Sequence, residues 1–171
     1  MTDSIRVIPT AEEHAEGLYR CLDSVARERI HLALVEAPPL EGVRSFVRAL
    51  VSGLGVQFLA IDAANDVVGW CDIVRKPLEG FRHAGQLGMG VASQMRGAGL
   101  GRRLATAAID GAWAIGLERV ELDVFASNER AIGLYRSLGF GEEGVRRRAR
   151  KLDEVYDDIV LMARLRDRTT T

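Results

Sequence analysis

Between Arg96 and Arg103 the chain reads R-G-A-G-L-G-R-R, with three glycines at alternate positions leading into an apolar run. Each glycine costs conformational entropy on folding, so such a cluster implies close approach to the backbone or unusual dihedrals. The chemistry open to it is anion binding. A loop that feeds a helix start presents unpaired N–H groups and the positive end of the helix dipole, and glycines leave those groups uncovered. Arg96, Arg102 and Arg103 add charge suited to phosphates. A P-loop would need glycine and lysine at 102 and 103, and both are arginine. A dinucleotide loop would need glycine or alanine at 102 directly after a strand, and too few helix–strand alternations follow. What remains is R-x-x-G-x-G, carried by Arg96, Gly99 and Gly101.

A second constellation follows, N-E-R-A-I-G-L-Y-R-S-L-G-F from Asn128 to Phe140. Asn128 is a natural N-cap. Seven residues on, about two helical turns, Tyr135 lies on much the same side. The two motifs, in this order, resemble the GCN5-related N-acetyltransferase (GNAT) superfamily over about residues 5–165. The resemblance implies an α+β fold: a central mixed, mostly antiparallel sheet of about seven strands, splayed between strands four and five and flanked by about four helices. It implies acetyl-CoA as co-substrate, with Arg96, Gly97, Ala98, Gly99, Leu100, Gly101 and Arg102 around the pyrophosphate. The strand H-A-G-Q-L-G-M-G-V puts Leu87, Met89 and Val91 on one face and Gln86, Gly88 and Gly90 on the other. Bare glycines on a strand face let something approach closely. In the family the pantetheine arm lies beside this strand. A backbone N–H near Met89, Gly90 or Val91 would then face the thioester carbonyl, an effect worth ~3 kcal/mol per donor. Asn128 would also touch the arm, and Tyr135 would be the general acid that protonates the departing thiolate.

The activity so implied is transfer of an acetyl group from acetyl-CoA to a primary amine by direct attack in a ternary complex. The amine would belong to an amino acid, a small amine or a protein N-terminus. The alternative is a non-catalytic module that binds acyl-CoA as a sensor or scaffold. An alkyl amine titrates near ~10.4, so catalysis needs a base. The sequence offers Glu36, Asp72, His83 and Asp158 without choosing among them, and Tyr156 shares a face with Asp158. Many family members carry a glutamate on the strand before the glycine loop; Gln86 or Gly88 stands there instead.

The elements that must position these residues are legible from periodicity. I-R-V-I-P reads as a first strand. Thr10 and Glu13 form a capping box for a helix bearing Leu18, Leu22 and Val25. Residues 27–39 are ambiguous, and a second helix is expected from Glu41 to Val51. V-Q-F-L-A-I and V-V-G-W-C-D-I-V read as an antiparallel hairpin. Leu100, Leu104, Ala108 and Ala112 recur at helical spacing, and R-V-E-L-D-V-F is a further strand. F-G-E-E-G-V-R and E-V-Y-D-D-I-V-L-M-A-R-L close the domain as an antiparallel pair, with R-R-R-A-R-K read as a solvated turn between them.

The bulk numbers suit one domain. The chain has 171 residues, 47% of them hydrophobic, and a formal net charge of -1. That balance gives no global pull toward nucleic acid or anionic membrane. No apolar run approaches the ~20 residues that span a bilayer, and the N-terminus lacks a signal peptide. Two cysteines, Cys21 and Cys71, suit reduced thiols in the cytoplasm, and the scattered histidines give no metal-ligand spacing. The expectation is therefore a single cytoplasmic domain with a short flexible C-terminal tail, no metal and no nucleic-acid partner. A homodimer is the assembly common in the family.

Overall fold

Residues 5–167 are described by a computed structural model. Most of the anticipated C-terminal tail lies outside the described residues.

Period-two burial builds the sheet. Its strands are β1 (Arg6–Pro9), β2 (Gly55–Ile61), β3 (Val67–Arg75), β4 (Ala84–Val91), β5 (Arg119–Phe125), β6 (Gly141–Leu152) and β7 (Val155–Leu165). Their spatial order is β1-β2-β3-β4-β5-β7-β6. The first four run antiparallel to their neighbours, as do β5, β7 and β6. The two halves meet at β4 and β5, which are parallel and pair only from Ala84↔Arg119 to Gln86↔Glu121. Beyond Gln86 the strands part, so among the described residues Leu87 to Val91 have no strand on that side.

Helices cover both faces. α1 (Ala15–Ala26) and α2 (Leu40–Ala49) pack on one face, and Leu18, Val25, Val43 and Val47 meet Leu59 and Trp70 in one core. The crossover helix α3 (Leu100–Ala114) and α4 (Glu129–Ser137) pack on the other face. There Leu104, Ala108, Ile109 and Ala112 meet Cys71, Ile73 and Leu122, all buried. Because side chains alternate along a strand, β3 sends Cys71 and Ile73 to the α3 side and Trp70 and Asp72 to the α1 side.

Two expectations are corrected. Thr10 and Glu13 do not cap α1. The Thr10 N–H is spent on the Gln57 carbonyl, prolonging the β1–β2 ladder, and a 3-10 turn at Glu12–His14 leads into the helix. There the Ala11 N–H donates to His14 Nδ1 at 2.9 Å. The basic run Arg146–Lys151 is not a turn; it lies within β6, and the reversal falls at Asp153 and Glu154, both at positive φ (49° and 61°). β6 is an edge strand, where charge on the side chains discourages pairing with other chains. Its arginines find partners: Arg146 pairs with Asp123, Arg148 stacks 4.0 Å above Tyr156, and Arg150 lies 4.5 Å over Phe125.

Candidate active site

The glycine stretch becomes a helix start with open amides. Gly97 and Gly99 sit at φ +89° and +78°, and Gly99 is the N-cap of α3 in left-handed conformation. A side chain there would be strained, which is why glycine occupies these two turns. No protein acceptor among the described residues takes the N–H groups of residues 97–102; the first bond of α3 runs from Arg103 N–H to the Gly99 carbonyl at 3.2 Å. These groups, with the dipole of a 15-residue helix behind them, form a ready site for a phosphate.

They open onto a cavity of about 610 Å³ in the wedge between β4 and β5. Met89, Gly90 and Val91 line one wall; Arg96, Gly97, Gly99, Leu100, Gly101 and Arg102 line the phosphate end; Asn128, just before α4, and Tyr135 within it also line the cavity. Ala98, exposed between two glycines, does not line it. Asn128 caps α4 as expected, its Oδ1 accepting the Ala131 N–H at 3.2 Å. That leaves its Nδ2 without a partner among the described residues.

Tyr135 is held by the way α4 ends. Gly139, at φ +87°, turns the chain so that the Phe140 N–H bonds the Tyr135 carbonyl and the Gly139 N–H bonds that of Arg136. This is a Schellman motif, whose usual apolar contact joins the residues at its two ends. Here those residues are Tyr135 and Phe140, edge to face with ring centroids 5.7 Å apart. The L-G-F signature thus clamps the tyrosine ring. Burial, with Cys71 adding to it, pushes the phenol far above its usual value, so its hydroxyl stays a donor.

A smaller cavity of about 320 Å³ lies on the α1–α2 face and shares Leu32, Ala33, Gly88 and Met89 with the larger one. Three residues stand in a row across three strands there: Gln57 opposite Asp72, and Asp72 opposite Gly88. Asp72 lines the cavity, and burial pushes its carboxyl up to about 7, against the lowering effect of a hydrogen bond from Gln57 Nε2 at 3.5 Å. The bare face of β4 is filled from β3. A β-carbon at Gly90 would lie 2.3–2.9 Å from Trp70 ring atoms, so what approaches this face so closely is an indole.

The other sequence candidates stand apart. His83 is exposed at the start of β4, about 20 Å along the strand from Met89 at ~3.3 Å per residue, and lines neither cavity. Glu36 is exposed and pairs with Arg27 at 3.5 Å. Asp158 accepts the Arg148 N–H at 2.6 Å, bracing the irregular stretch of β6. Arg96 lines the phosphate end, but its guanidinium is engaged: two bonds of 2.7 Å to Glu28 and one of 2.8 Å to the Val91 carbonyl. It ties the segment after α1 to the glycine loop and holds the Glu28 carboxyl below its ordinary value. Arg102 donates to Ser137 Oγ and Arg103 to the Ile5 carbonyl, each at 2.7 Å. Sequence reasoning missed Arg130, which lines the larger cavity, has no ion-pair partner among the described residues, and places Nη2 3.5 Å from where a Gly97 β-carbon would stand. It also missed Gln57, a lone polar residue in an otherwise apolar strand.

A seven-stranded sheet wedged open beside an amide-lined helix start is the architecture of a GNAT-type domain. Residues 28–140 match the family model described as "Acetyltransferase (GNAT) family", and the chain belongs to that family. Among curated proteins it is similar to the L-methionine sulfoximine/L-methionine sulfone acetyltransferase of Pseudomonas aeruginosa, 38% identical over 87 residues, which cover 50% of this chain and 51% of that one. The chain thus spans about half the length of that relative in the match. Among solved structures, a GNAT-family acetyltransferase from Streptococcus pneumoniae superposes with a TM-score of 0.89 at 26% identity, covering 95% of this chain and 99% of that one. The yncA protein of Salmonella typhimurium, solved with its cofactor acetyl-CoA, superposes at 0.90 over 99% and 98% of the two chains, and at 16% identity it shares the fold.

Proposed function

We propose that the protein is an N-acetyltransferase that moves an acetyl group from acetyl-CoA to a primary amine by direct attack. The observation that carries the reading is the run of unpaired amides at residues 97–102, whose residues, Ala98 excepted, line the cavity that Asn128 and Tyr135 also line. These residues fit acetyl-CoA: the amides and Arg130 suit the pyrophosphate, and the main chain of β4 from Leu87 to Val91, unpaired toward β5, suits the amide-rich pantetheine arm. Acetyl-CoA, when bound, supplies an acetyl group activated as a thioester.

Two side chains on opposite faces of β4 then divide the proton chemistry. Asp72, charged above about pH 7, takes a proton from the incoming ammonium, which leaves nitrogen with a free electron pair. Tyr135, protonated throughout, holds a proton for the departing thiolate. No covalent route through a cysteine is needed. Burial pushes the Cys21 thiol up to about 12 and raises Cys71 as well, so neither supplies a ready thiolate. Two buried, unpaired cysteines also suit a reducing compartment, and we assign the protein to the cytoplasm on that ground.

The test is calorimetry with acetyl-CoA followed by a free-thiol release assay over a panel of primary amines. Micromolar binding with amine-dependent thiol release is expected. Binding without turnover on any amine would make the chain a sensor, and absence of binding would end the reading.

A further inference from the structure

The smaller cavity has a chemistry of its own. Leu22, Phe46 and Trp70 form walls, and among the described residues Gln57 and Asp72 are the side chains that offer it hydrogen-bond acceptors. Among the described residues no lysine, arginine or histidine reaches it. A ligand carboxylate placed there would lose its hydration, meet no counter-ion and face Asp72, a like charge.

Gln57 is the second observation. It is 4% exposed, and its Oε1 has no hydrogen-bond partner among the described residues. An acceptor left unmatched in a site this apolar is costly, by ~1–3 kcal/mol, unless a ligand donates to it. Gln57 sits directly across the β2–β3 ladder from Asp72, and both line the same space. Two acceptors side by side suit a primary ammonium, which carries three donors and no acceptor. Once Asp72 has taken one proton, the neutral amine keeps two N–H bonds. One of these to Gln57 Oε1 fixes how the nitrogen is turned.

Resting on the acetyltransferase reading above, we propose that this cavity selects a primary amine borne on an uncharged, apolar body, with no free carboxylate beside the amine. Gln57 accepts a hydrogen bond from that amine and determines specificity. Free α-amino acids are thereby disfavoured, which sets this chain apart from a relative named for amino-acid derivatives. Apolar amines and amine groups whose neighbouring carboxyl is masked as an amide are favoured.

The probes are phenethylamine, phenylalaninamide and phenylalanine, which share a ring and an amine and differ in the carboxyl. Each is titrated into the full chain by calorimetry without acetyl-CoA, and each is then assayed for thiol release. Phenethylamine and phenylalaninamide are expected to bind at least tenfold tighter than phenylalanine and to show the lower KM. Gln57→Leu is expected to raise the KM for phenethylamine about tenfold with a smaller change in kcat and no loss of thermal stability. Binding of phenylalanine equal to that of phenethylamine, or no binding of phenethylamine, overturns the proposal. So does a Gln57→Leu protein, folded by circular dichroism, whose KM is unchanged. If Gln57→Leu does not fold, the three probes on the unaltered chain still decide. The two readings fail separately: turnover of phenylalanine in preference sinks the specificity and keeps the acetyltransferase, whereas absence of acetyl-CoA binding sinks the enzyme and leaves the amine titrations standing.

Discussion

Asp72 lies directly opposite Gly88 across the β3–β4 ladder, and a β-carbon at Gly88 would stand 3.4 Å from Asp72 Oδ1. A carboxylate anchored on β3 thus occupies the space beside β4 where a glutamate of β4 itself would project. Burial pushes its carboxyl up to about 7, and in the function proposed above Asp72 is the base, with its charged form the active one. The profile of kcat should therefore rise with pH through about 7 and level off above it. Asp72→Asn should lower kcat by ~10²–10³-fold and abolish that limb while leaving acetyl-CoA affinity within twofold. Stopped turnover assays from pH 5.5 to 9, with calorimetry on the variant, check this. A limb that survives in the variant would assign the base elsewhere.

The same carboxyl links stability to pH. Its native pKa stands above the ordinary 3.8, so the folded chain binds more protons than the unfolded one between those values. Stability owed to this group is full below about pH 4 and is lost as pH rises through about 7. Asn carries no such charge. Asp72→Asn should therefore gain on the parent as pH climbs, by about 2–4 kcal/mol at pH 8 and by much less at pH 5. Urea titrations of both proteins at the two pH values measure the difference directly. A gain that is larger at pH 5 would reverse the sign and refute the assignment.

What the sequence made legible follows from what is local. The Gly97–Gly101 turn, the Asn128 cap and the Gly139 stop are short-range backbone events, and each carries its own residue signature. The wedge between β4 and β5 was anticipated only through resemblance, because the place where two parallel strands part is set by packing against α3 and α4. Arg96 looked like a phosphate ligand, but its partner Glu28 lies far away in sequence, in a stretch without periodicity. The row Gln57–Asp72–Gly88 needs strand register, and each residue alone reads as an ordinary strand position. The run Arg146–Lys151 misled because charge density suggests a turn, whereas an edge strand tolerates charge on both faces.

Tyr135 should act on the leaving group and not on binding. Its hydroxyl stays protonated across the working range, so it should contribute no basic limb below about pH 10. Tyr135→Phe keeps the ring that packs on Phe140 and removes only the donor. A fall in kcat of about 10–100-fold with acetyl-CoA affinity unchanged is expected. An equal loss of affinity would show that the hydroxyl holds the ligand instead.

Charge at the phosphate end should be supplied mainly by Arg130. Arg96 is locked to Glu28 and the Val91 carbonyl, and Arg102 leans on Ser137, whereas Arg130 borders Gly97 with no ion-pair partner among the described residues. An exposed charge near a polyanion is screened by salt, with a Debye length of ~10 Å at 0.1 M. Arg130→Ala should then weaken acetyl-CoA binding about 5–10-fold at 50 mM salt, and the gap should narrow to about twofold at 0.5 M. Arg102→Ala should cost less at both. Glu28→Gln should act in a different way, freeing the Arg96 guanidinium and loosening the segment that walls both cavities, so its effect should reach the amine KM as well and persist in salt. Calorimetric titrations of the three variants with acetyl-CoA at the two salt concentrations, together with the amine KM of each from thiol-release assays, separate these effects. A salt-independent loss in Arg130→Ala would mean that this side chain shapes the loop and does not meet the phosphates.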